Sequence, residues 1–443
     1  MNLTIHRGTL EIGGTCVELR SKSTRIILDY GLPLTDAAGM EWDERALGEK
    51  TREELIKEGI LFDIPGLYKG QKPKVSAILI SHSHKDHYGL LDHAHPDIPV
   101  YISDGAFRLI RVLNVFTREQ CLAGLSEPRT VRHNESFEIG EFRVTPYLVD
   151  HSAYDAMSFL VEEKATGKRL FYSGDFRSGG WKKGLFDRFI EDPPKNIDCL
   201  LLEGTMIERR AGEYEDEPAV LDGVLDVLER SENNVTLAYC SGQNIDRIVT
   251  LYKAARRAKA ILVIDPYVAA VLHVLENSRG TLPRMEWAGI RVLVGNYRGH
   301  GDIYVSKIVR SDLGYITAEI GRKKIKALDI GREKALVLMR DSMIPIVSRI
   351  PGLEGSTLIY SLWAGYVHNR NNAYRFRDFV QKKGIKVAYI HAGGHATVEK
   401  LKQMAAALQP GRIIPIHTQR PDKFREYFGS RVLNAVDGQE IAI

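Results

Sequence analysis

The sequence predicts an α/β protein of two or three domains with a parallel sheet in its second half, and three observations lead there. Its 443 residues exceed one ordinary domain. Hydrophobic residues make up 44% and charged residues 27%, so a large core can form, and a disordered or collagen-like chain is excluded. Past Glu203, short apolar runs alternate with amphipathic helical patterns, the signature of βαβ units.

The first half reads as short strands that each stop at a polar cluster. Arg25 to Leu28 is a β-branched run ending at Asp29-Tyr30-Gly31, and residues 41–59 are charged and helical in pattern. Val75 to Ile80 is a buried-strand candidate that runs directly into Ser81-His82. Phe142 to Val149 ends at Asp150-His151, Arg169 to Tyr172 at Ser173-Gly174-Asp175, and Ile197 to Leu202 at Glu203-Gly204.

In the second half Glu217 to Arg230 reads as a helix with Pro218 suited to its first turn. Val235 to Tyr239 and Ile261 to Ile264 read as strands around a helix over Ile245 to Lys259. Residues 280–355 are less regular. The alternation then resumes with a strand (Thr357 to Tyr360), a helix (Ala373 to Lys382) and a strand (Ile385 to Ile390). It closes with a helix (Val398 to Leu408) and a strand (Arg412 to Ile416) that ends at His417.

Bulk properties limit the function. Lys+Arg is 61 and Asp+Glu 57, a net charge of +4 that permits a nucleic-acid partner without arguing for one. Cys16, Cys121, Cys199 and Cys240 are scattered without a C-x-x-C pair, which predicts buried thiols and no disulfide framework or thiolate metal site. No 18-residue apolar run occurs, so no membrane-spanning helix is expected. Met1 to Arg7 lacks a cationic stretch followed by an apolar one, so a cytoplasmic location is expected.

The chemistry concentrates in His82-Ser83-His84-Lys85-Asp86-His87. On a segment leaving an apolar strand, alternate side chains point the same way, so His82 and His84 can hold one metal ion. Asp86 and His87, after a turn, can hold a second. Imidazole with carboxylate suits Zn²⁺, with Mn²⁺ or Fe²⁺ fitting less well. His151 and Asp175 supply further ligands from other strand ends. Asp175 can bridge two ions, because a carboxylate has two oxygens, and His417 is a candidate seventh ligand.

These motifs, in this order, resemble the metallo-β-lactamase fold: H-x-H-x-D-H, a later His, an Asp in a Ser-Gly-Asp context, and Asp29 at an early strand end. Three more resemble its β-CASP branch, the nucleases that include ribonuclease J and the cleavage-and-polyadenylation endonuclease. They are Glu203 in Leu201-Leu202-Glu203-Gly204-Thr205, His395 in His391-Ala392-Gly393-Gly394-His395-Ala396, and His417 in Ile414-Pro415-Ile416-His417-Thr418. The resemblance implies a metallo-β-lactamase αββα sandwich (residues 1–205 and 385–443) with an inserted β-CASP parallel α/β domain (206–384).

It also implies roles. His82, His84, His151 and Asp175 resemble the ligands of a first metal ion, and Asp86, His87, Asp175 and His417 those of a second. Both ions are expected to be Zn²⁺, with Mn²⁺ as the alternative. Asp29 resembles a carboxylate that orients ligands from behind. Asp86, Glu203 and His395 are the expected catalytic residues, with His395 protonating the leaving oxygen and Glu203 holding it and raising its pKa. The inserted domain is expected to form one wall of a cleft. Ser241-Gly242-Gln243-Asn244 and the segment from Ser361 to Gly365 follow apolar strands there, which makes Ser241, Gln243 and Ser361 candidate substrate contacts. Basic runs over Lys253 to Lys259 and Arg322 to Lys326 could line an RNA backbone.

Some residues depart from the pattern. Lys85 stands where a small or apolar residue is usual, and Glu203 where ribonuclease J usually has Asp, which places the site nearer the endonuclease-like branch. His417 favours RNA over DNA, because DNA-processing relatives usually lack it. With 26 residues after His417, no C-terminal domain of the ribonuclease J type is expected. The expected function is a metal-dependent ribonuclease with RNA as partner, no membrane association, and a homodimer as an open assembly state. Two readings compete: a hydrolase of a small ester, thioester or lactone, and a catalytically silent RNA-binding subunit. His93 and His95 are expected at the surface, and His273 in the core of an apolar helix. Gly295 to Gly301 is glycine-rich but opens no recognisable helix, so no dinucleotide site is expected there.

Overall fold

The computed structural model describes residues 1–35, 40, 47–117, 127–209, 214–276, 282–295, 301–363 and 373–443. Two compact units divide the chain. One comprises Met1–Ile110, Gln120–Arg210 and Gly394–Ile443; the other comprises Arg111–Glu119 and Ala211–Gly393.

The first unit holds two mixed sheets. One contains β1 (Asn2–Arg7), β2 (Cys16–Arg20), β3 (Arg25–Tyr30), β4 (Ala77–Leu79), β5 (Val100–Ser103) and β6 (Arg129–Val131). The other contains β7 (Phe137–Ile139), β8 (Phe142–Leu148), β9 (Met157–Glu163), β10 (Arg169–Tyr172) and β11 (Cys199–Glu203). The second unit holds β12 (Val235–Tyr239), β13 (Ile261–Ile264), β14 (Ile290–Leu293), β15 (Lys324–Ile325), β16 (Ala335–Met339), β17 (Thr357–Tyr360) and β18 (Lys386–Tyr389). The chain then returns to the first unit with β19 (Arg412–Ile416) and β20 (Glu440–Ala442).

The first sheet runs β20-β1-β2-β3-β4-β5-β6 and the second β19-β11-β10-β9-β8-β7. Alternate residues of both sheets face each other in one apolar layer, with Ile5, Val17 and Leu79 from one side and Phe159, Tyr172 and Leu201 from the other. The outer faces bury separate clusters: Ile78 and Ile102 with Leu55 on the first sheet, and Phe171 and Leu200 with Phe186, Leu401 and Phe424 on the second. Helix, sheet, sheet and helix therefore stack as four layers, the αββα sandwich.

β3, β4, β8, β10, β11 and β19 all end at one edge of this sandwich. β3 and β4 are parallel, as are β10, β11 and β19, and β8 shares their direction through β9, which is antiparallel to both β8 and β10. Every polar cluster singled out in the sequence of the first unit leaves from one of these ends.

In the second unit all pairings are parallel, in the order β15-β14-β13-β16-β12-β17-β18. The stretch 280–355, irregular in pattern, carries β14, β15 and the central strand β16, whose run Ala-Leu-Val-Leu-Met is buried throughout. The unit extends past residue 384 because β18 hydrogen-bonds to β17 along its whole length. Of the charged stretch at 41–59, the described helix is Arg52–Lys57, closed by a Thr51–Glu54 capping box, and residues 41–46 lie outside the described residues. Cys16, Cys199 and Cys240 are buried free thiols, and Cys121 lies outside the described residues.

His273 departs from expectation. It sits on the rim of helix Pro266–Val274, half-buried, with Nε2 3.2 Å from the Tyr315 hydroxyl. Among the described residues no helix is long and apolar enough to cross a membrane.

Candidate metal centre

At that edge the chain brings nine candidate side chains together. β4 delivers Ser81 and His82, His84 precedes the short helix Lys85–Tyr88, and the first turn of that helix presents Asp86 and His87. Gly31 makes this approach possible, because a Cβ there would lie 1.7 Å from the Asp86 carbonyl oxygen. His151 follows β8, Asp175 follows β10, Glu203 closes β11, and His417 follows β19 in a left-handed conformation (φ 53°).

Four overlapping groups of side chains could hold a metal ion, and two of them match the expected ligand sets in part. His84 Nδ1 stands 3.2 Å from Nε2 of His82 and 3.2 Å from Nε2 of His151. Nitrogens bound at about 2.0–2.1 Å to a tetrahedral ion are separated by about 3.3 Å, so this spacing fits three imidazoles around one cation. In the second set His417 Nε2 is 3.2 Å from Asp86 Oδ2, and His87 Nε2 is 3.6 Å from it. Asp175 lies between the sets, its Oδ2 3.1 Å from His87 Nε2 and 3.9 Å from His82 Nε2. His87 Nε2 and Asp175 Oδ1 are buried without a hydrogen-bond partner. Such orphaned groups are costly in a protein interior, and a divalent cation satisfies both.

The far side of each ring fixes which nitrogen points inward. His87 Nδ1 donates to Asp29 Oδ2 (2.7 Å), and His151 Nδ1 donates to the Gly394 carbonyl (2.5 Å). His82 Nδ1 meets the Ser81 hydroxyl (3.0 Å), and His417 Nδ1 the Thr205 hydroxyl (2.8 Å). Asp29 also accepts from Ser81 N and Oγ (2.7 Å each) and from the Tyr172 hydroxyl (2.6 Å), itself held at φ 57°. Ligand nitrogens are oriented in this way in metalloproteins generally. Ser81, Tyr172 and Thr205 were not singled out by sequence; their only signal is that they flank the ligand motifs.

Electrostatics agrees with the first donor set; in the second, burial opposes but Asp175, Asp86 and Asp29 outweigh it and raise the His87 pKa. Burial, reinforced by neighbouring imidazoles, holds His82 and His151 well below the usual histidine range and His84 down to about 4, so these rings are neutral and able to bind a cation. Burial disfavours the Asp86 and Asp175 carboxylates, but the imidazoles of His87 and His417 outweigh it and keep both ionised.

Glu203 and His395 pair at the edge of this cluster and share a group of potential ligands with Asp175 and His417. Glu203 accepts from three backbone amides: Phe176 (3.2 Å), Thr205 (3.2 Å) and Ala396 (3.3 Å). His395 Nδ1 is 3.4 Å from Glu203 Oε2 and 3.7 Å from Asp175 Oδ2. The His395 side chain is 23% exposed, whereas His82, His87 and Asp175 are at most 2% exposed. Burial lowers the His395 pKa, but Glu203 and Asp175 outweigh it, and the net shift is upward.

The candidate contacts in the second unit differ among themselves. Ser241 is exposed, and its hydroxyl accepts from the Gln243 amide (3.3 Å); the Gln243 side chain hydrogen-bonds Tyr267. Ser361 corrects the expectation of a substrate contact. It is 1% exposed, donating to the Ile390 carbonyl and accepting from Arg247, whose guanidinium is itself buried against Glu217. Ala364 and Gly365 lie outside the described residues, as do residues 296–300 of the glycine-rich stretch from Gly295 to Gly301. Lys253 to Lys259 closes helix Ile245–Arg257, which places this basic run at the N-terminal edge of the parallel sheet, opposite Ser241 and Gln243.

Fold and site together fit the metallo-β-lactamase type, with clustered side chains that could hold divalent metal. A family profile described as "Beta-lactamase superfamily domain" matches residues 61–238. Ribonuclease J of Sinorhizobium meliloti is 22% identical over 380 residues, covering 78% of this chain and 58% of that protein. Ribonuclease J2 of Bacillus subtilis is 22% identical over 386 residues, covering 78% and 59%. A crystal structure of a protein of unknown function from Enterococcus faecalis V583 shares the fold over 100% of this chain and 99% of that one, with TM-score 0.78 and 21% identity. The chain is thus similar to the ribonuclease J-like, β-CASP group of metallo-β-lactamase-fold proteins. It spans less than two thirds of the length of these ribonuclease J relatives.

Proposed function

We propose that the chain is a metal-dependent ribonuclease that hydrolyses RNA phosphodiester bonds at this centre, with two divalent ions, Zn²⁺ by preference and Mn²⁺ as the alternative. The observation that carries the reading is the placement of His395. It is a half-buried imidazole outside the expected ligand sets, braced by an amide-clamped Glu203 and within 3.7 Å of the Asp175 carboxylate.

His82, His84, His151 and Asp175 would hold one ion, and Asp86, His87, Asp175 and His417 the other. Divalent cations supply Lewis acidity there, lowering the pKa of water towards about 7 and offsetting phosphate charge. The rest is the work of the side chains. Asp29, Ser81 and Thr205 fix the ligand rings, so no reorientation is needed as charge develops. With Nδ1 directed at Glu203, His395 carries its transferable proton on Nε2. The upward pKa shift favours holding that proton until the leaving ribose oxygen takes it. Asp86 acts through its ionised carboxylate in the second ligand set.

The names of the relatives support RNA over a small ester, thioester or lactone, and the complete ligand set argues against a silent subunit. A cytoplasmic setting goes with this reading. Cleavage of 5′-labelled and internally labelled RNA and DNA, with and without EDTA, tests it. RNA fragments that vanish with EDTA are expected; turnover of small esters alone overturns it.

A further inference from the structure

Two ligands of the first set, His151 and Asp175, come from different strand ends, and the chain ties those ends together at one point. Asp150 precedes His151 by one residue, and Arg177 follows Asp175 by two. The two form an isolated antiparallel bridge in which Arg177 N donates to the Asp150 carbonyl at 2.6 Å. Their side chains also meet, Arg177 Nε standing 3.4 Å from Asp150 Oδ1. The second carboxylate oxygen accepts from the Gly180 amide at 2.7 Å, which draws in the continuation of the Asp175 loop. Neither partner sees solvent, the side chains being 0% and 2% exposed.

A wholly buried ion pair is poor evidence for stability alone, because desolvation consumes most of its attraction, but it fixes geometry well. We infer that Asp150 and Arg177 are positioning residues for the metal centre: their ion pair sets the spacing between the His151 imidazole and the Asp175 carboxylate. The inference rests on the metal-centre reading above. Breaking the pair leaves only the backbone bridge between the loops and loosens the distance between the two ligands. Ligand supports of this kind change metal affinity about 10- to 100-fold.

Co²⁺ titration of the full chain, followed by its visible absorption, separates this role from general stability. Asp150→Asn keeps the side-chain shape and removes the charge, and is expected to bind Co²⁺ at least about 10-fold more weakly, with shifted ligand-field bands. Glu217→Gln, which breaks the equally buried Glu217–Arg247 pair in the second unit, is expected to leave those bands in place. Should Asp150→Asn not fold, Arg177→Lys keeps the charge but not the guanidinium, and is expected to shift the same bands. Folded Asp150→Asn or Arg177→Lys protein with the wild-type affinity and spectrum overturns the inference. Wild-type protein that binds no Co²⁺ overturns the metal-centre reading itself, and this inference with it.

Discussion

The carboxylate of Glu203 is held by three backbone amides on one side and faces His395 Nδ1 at 3.4 Å on the other. A carboxylate fixed in this way cannot swing into the ligand set, and its task is to orient and charge the imidazole. His395→Ala is therefore expected to lower RNA cleavage about 10²- to 10⁴-fold while the bound metal is retained. Cleavage at the wild-type rate, measured beside metal content on the same preparation, rejects the proton-donor role.

Asp29 gathers four donors: Ser81 N, Ser81 Oγ, His87 Nδ1 and the Tyr172 hydroxyl. Asp29→Ala leaves them buried without an acceptor, at about 1–3 kcal/mol for each that stays unsatisfied. It also frees the His87 ring, for an expected loss of about 10- to 100-fold in metal affinity. Equilibrium dialysis with Zn²⁺, together with denaturant unfolding, reads both. Unchanged affinity removes Asp29 from the centre.

The backbone of Gly31 passes directly under Asp86, where an added methyl would sit 1.7 Å from a carbonyl oxygen. Gly31→Ala must displace the helix that presents Asp86 and His87. The expectation is a loss of roughly 1–3 kcal/mol, of the order seen for overpacking, and weaker metal binding. Gly59→Ala, at a site with no atom within 4 Å of an added Cβ but at φ 71°, serves as a backbone-strain control and is expected to spare the metal.

Away from the centre, Glu18 pairs with His6 and Arg25 at 3.0 and 2.8 Å. Burial opposes its ionisation, but the two partners outweigh it and bring its pKa down to about 2 from 4.5. The native state thus favours the ionised form. The resulting stability is full above about pH 4.5 and is lost as pH falls towards 2. Allowing for solvent screening, it amounts to roughly 2 kcal/mol. Urea unfolding of wild type and Glu18→Gln should differ by about that much at pH 7 and converge by pH 2 to 3. A gap that persists in acid contradicts this.

Much of the centre was legible because its ligands leave from strand ends, where apolar runs stop abruptly at His, Asp or Glu. The seven candidate ligands fall, with Glu203 and His395, into overlapping groups that could hold a metal ion. The supports were harder to see. Ser81, Tyr172, Thr205 and Arg177 gain meaning only when the sandwich brings them behind ligands distant in sequence, 212 residues in the case of Thr205 and His417. β16 was missed because the stretch 280–355 around it lacks the regular strand–helix alternation that frames β12 and β13. Ser361 was misread because a residue after a parallel strand can serve the interior as well as a ligand. Glu203 suggested the endonuclease-like branch, yet the relatives found over most of the chain are ribonuclease J proteins.

Metal content measured against RNA cleavage on the same sample is the decisive experiment. Purified protein is expected to carry close to two divalent ions per chain, to lose cleavage when a chelator strips them, and to regain it when Zn²⁺ or Mn²⁺ is restored. Undiminished cleavage by fully stripped protein would contradict a metal-dependent ribonuclease centred on His82, His84, Asp86, His87, His151, Asp175 and His417.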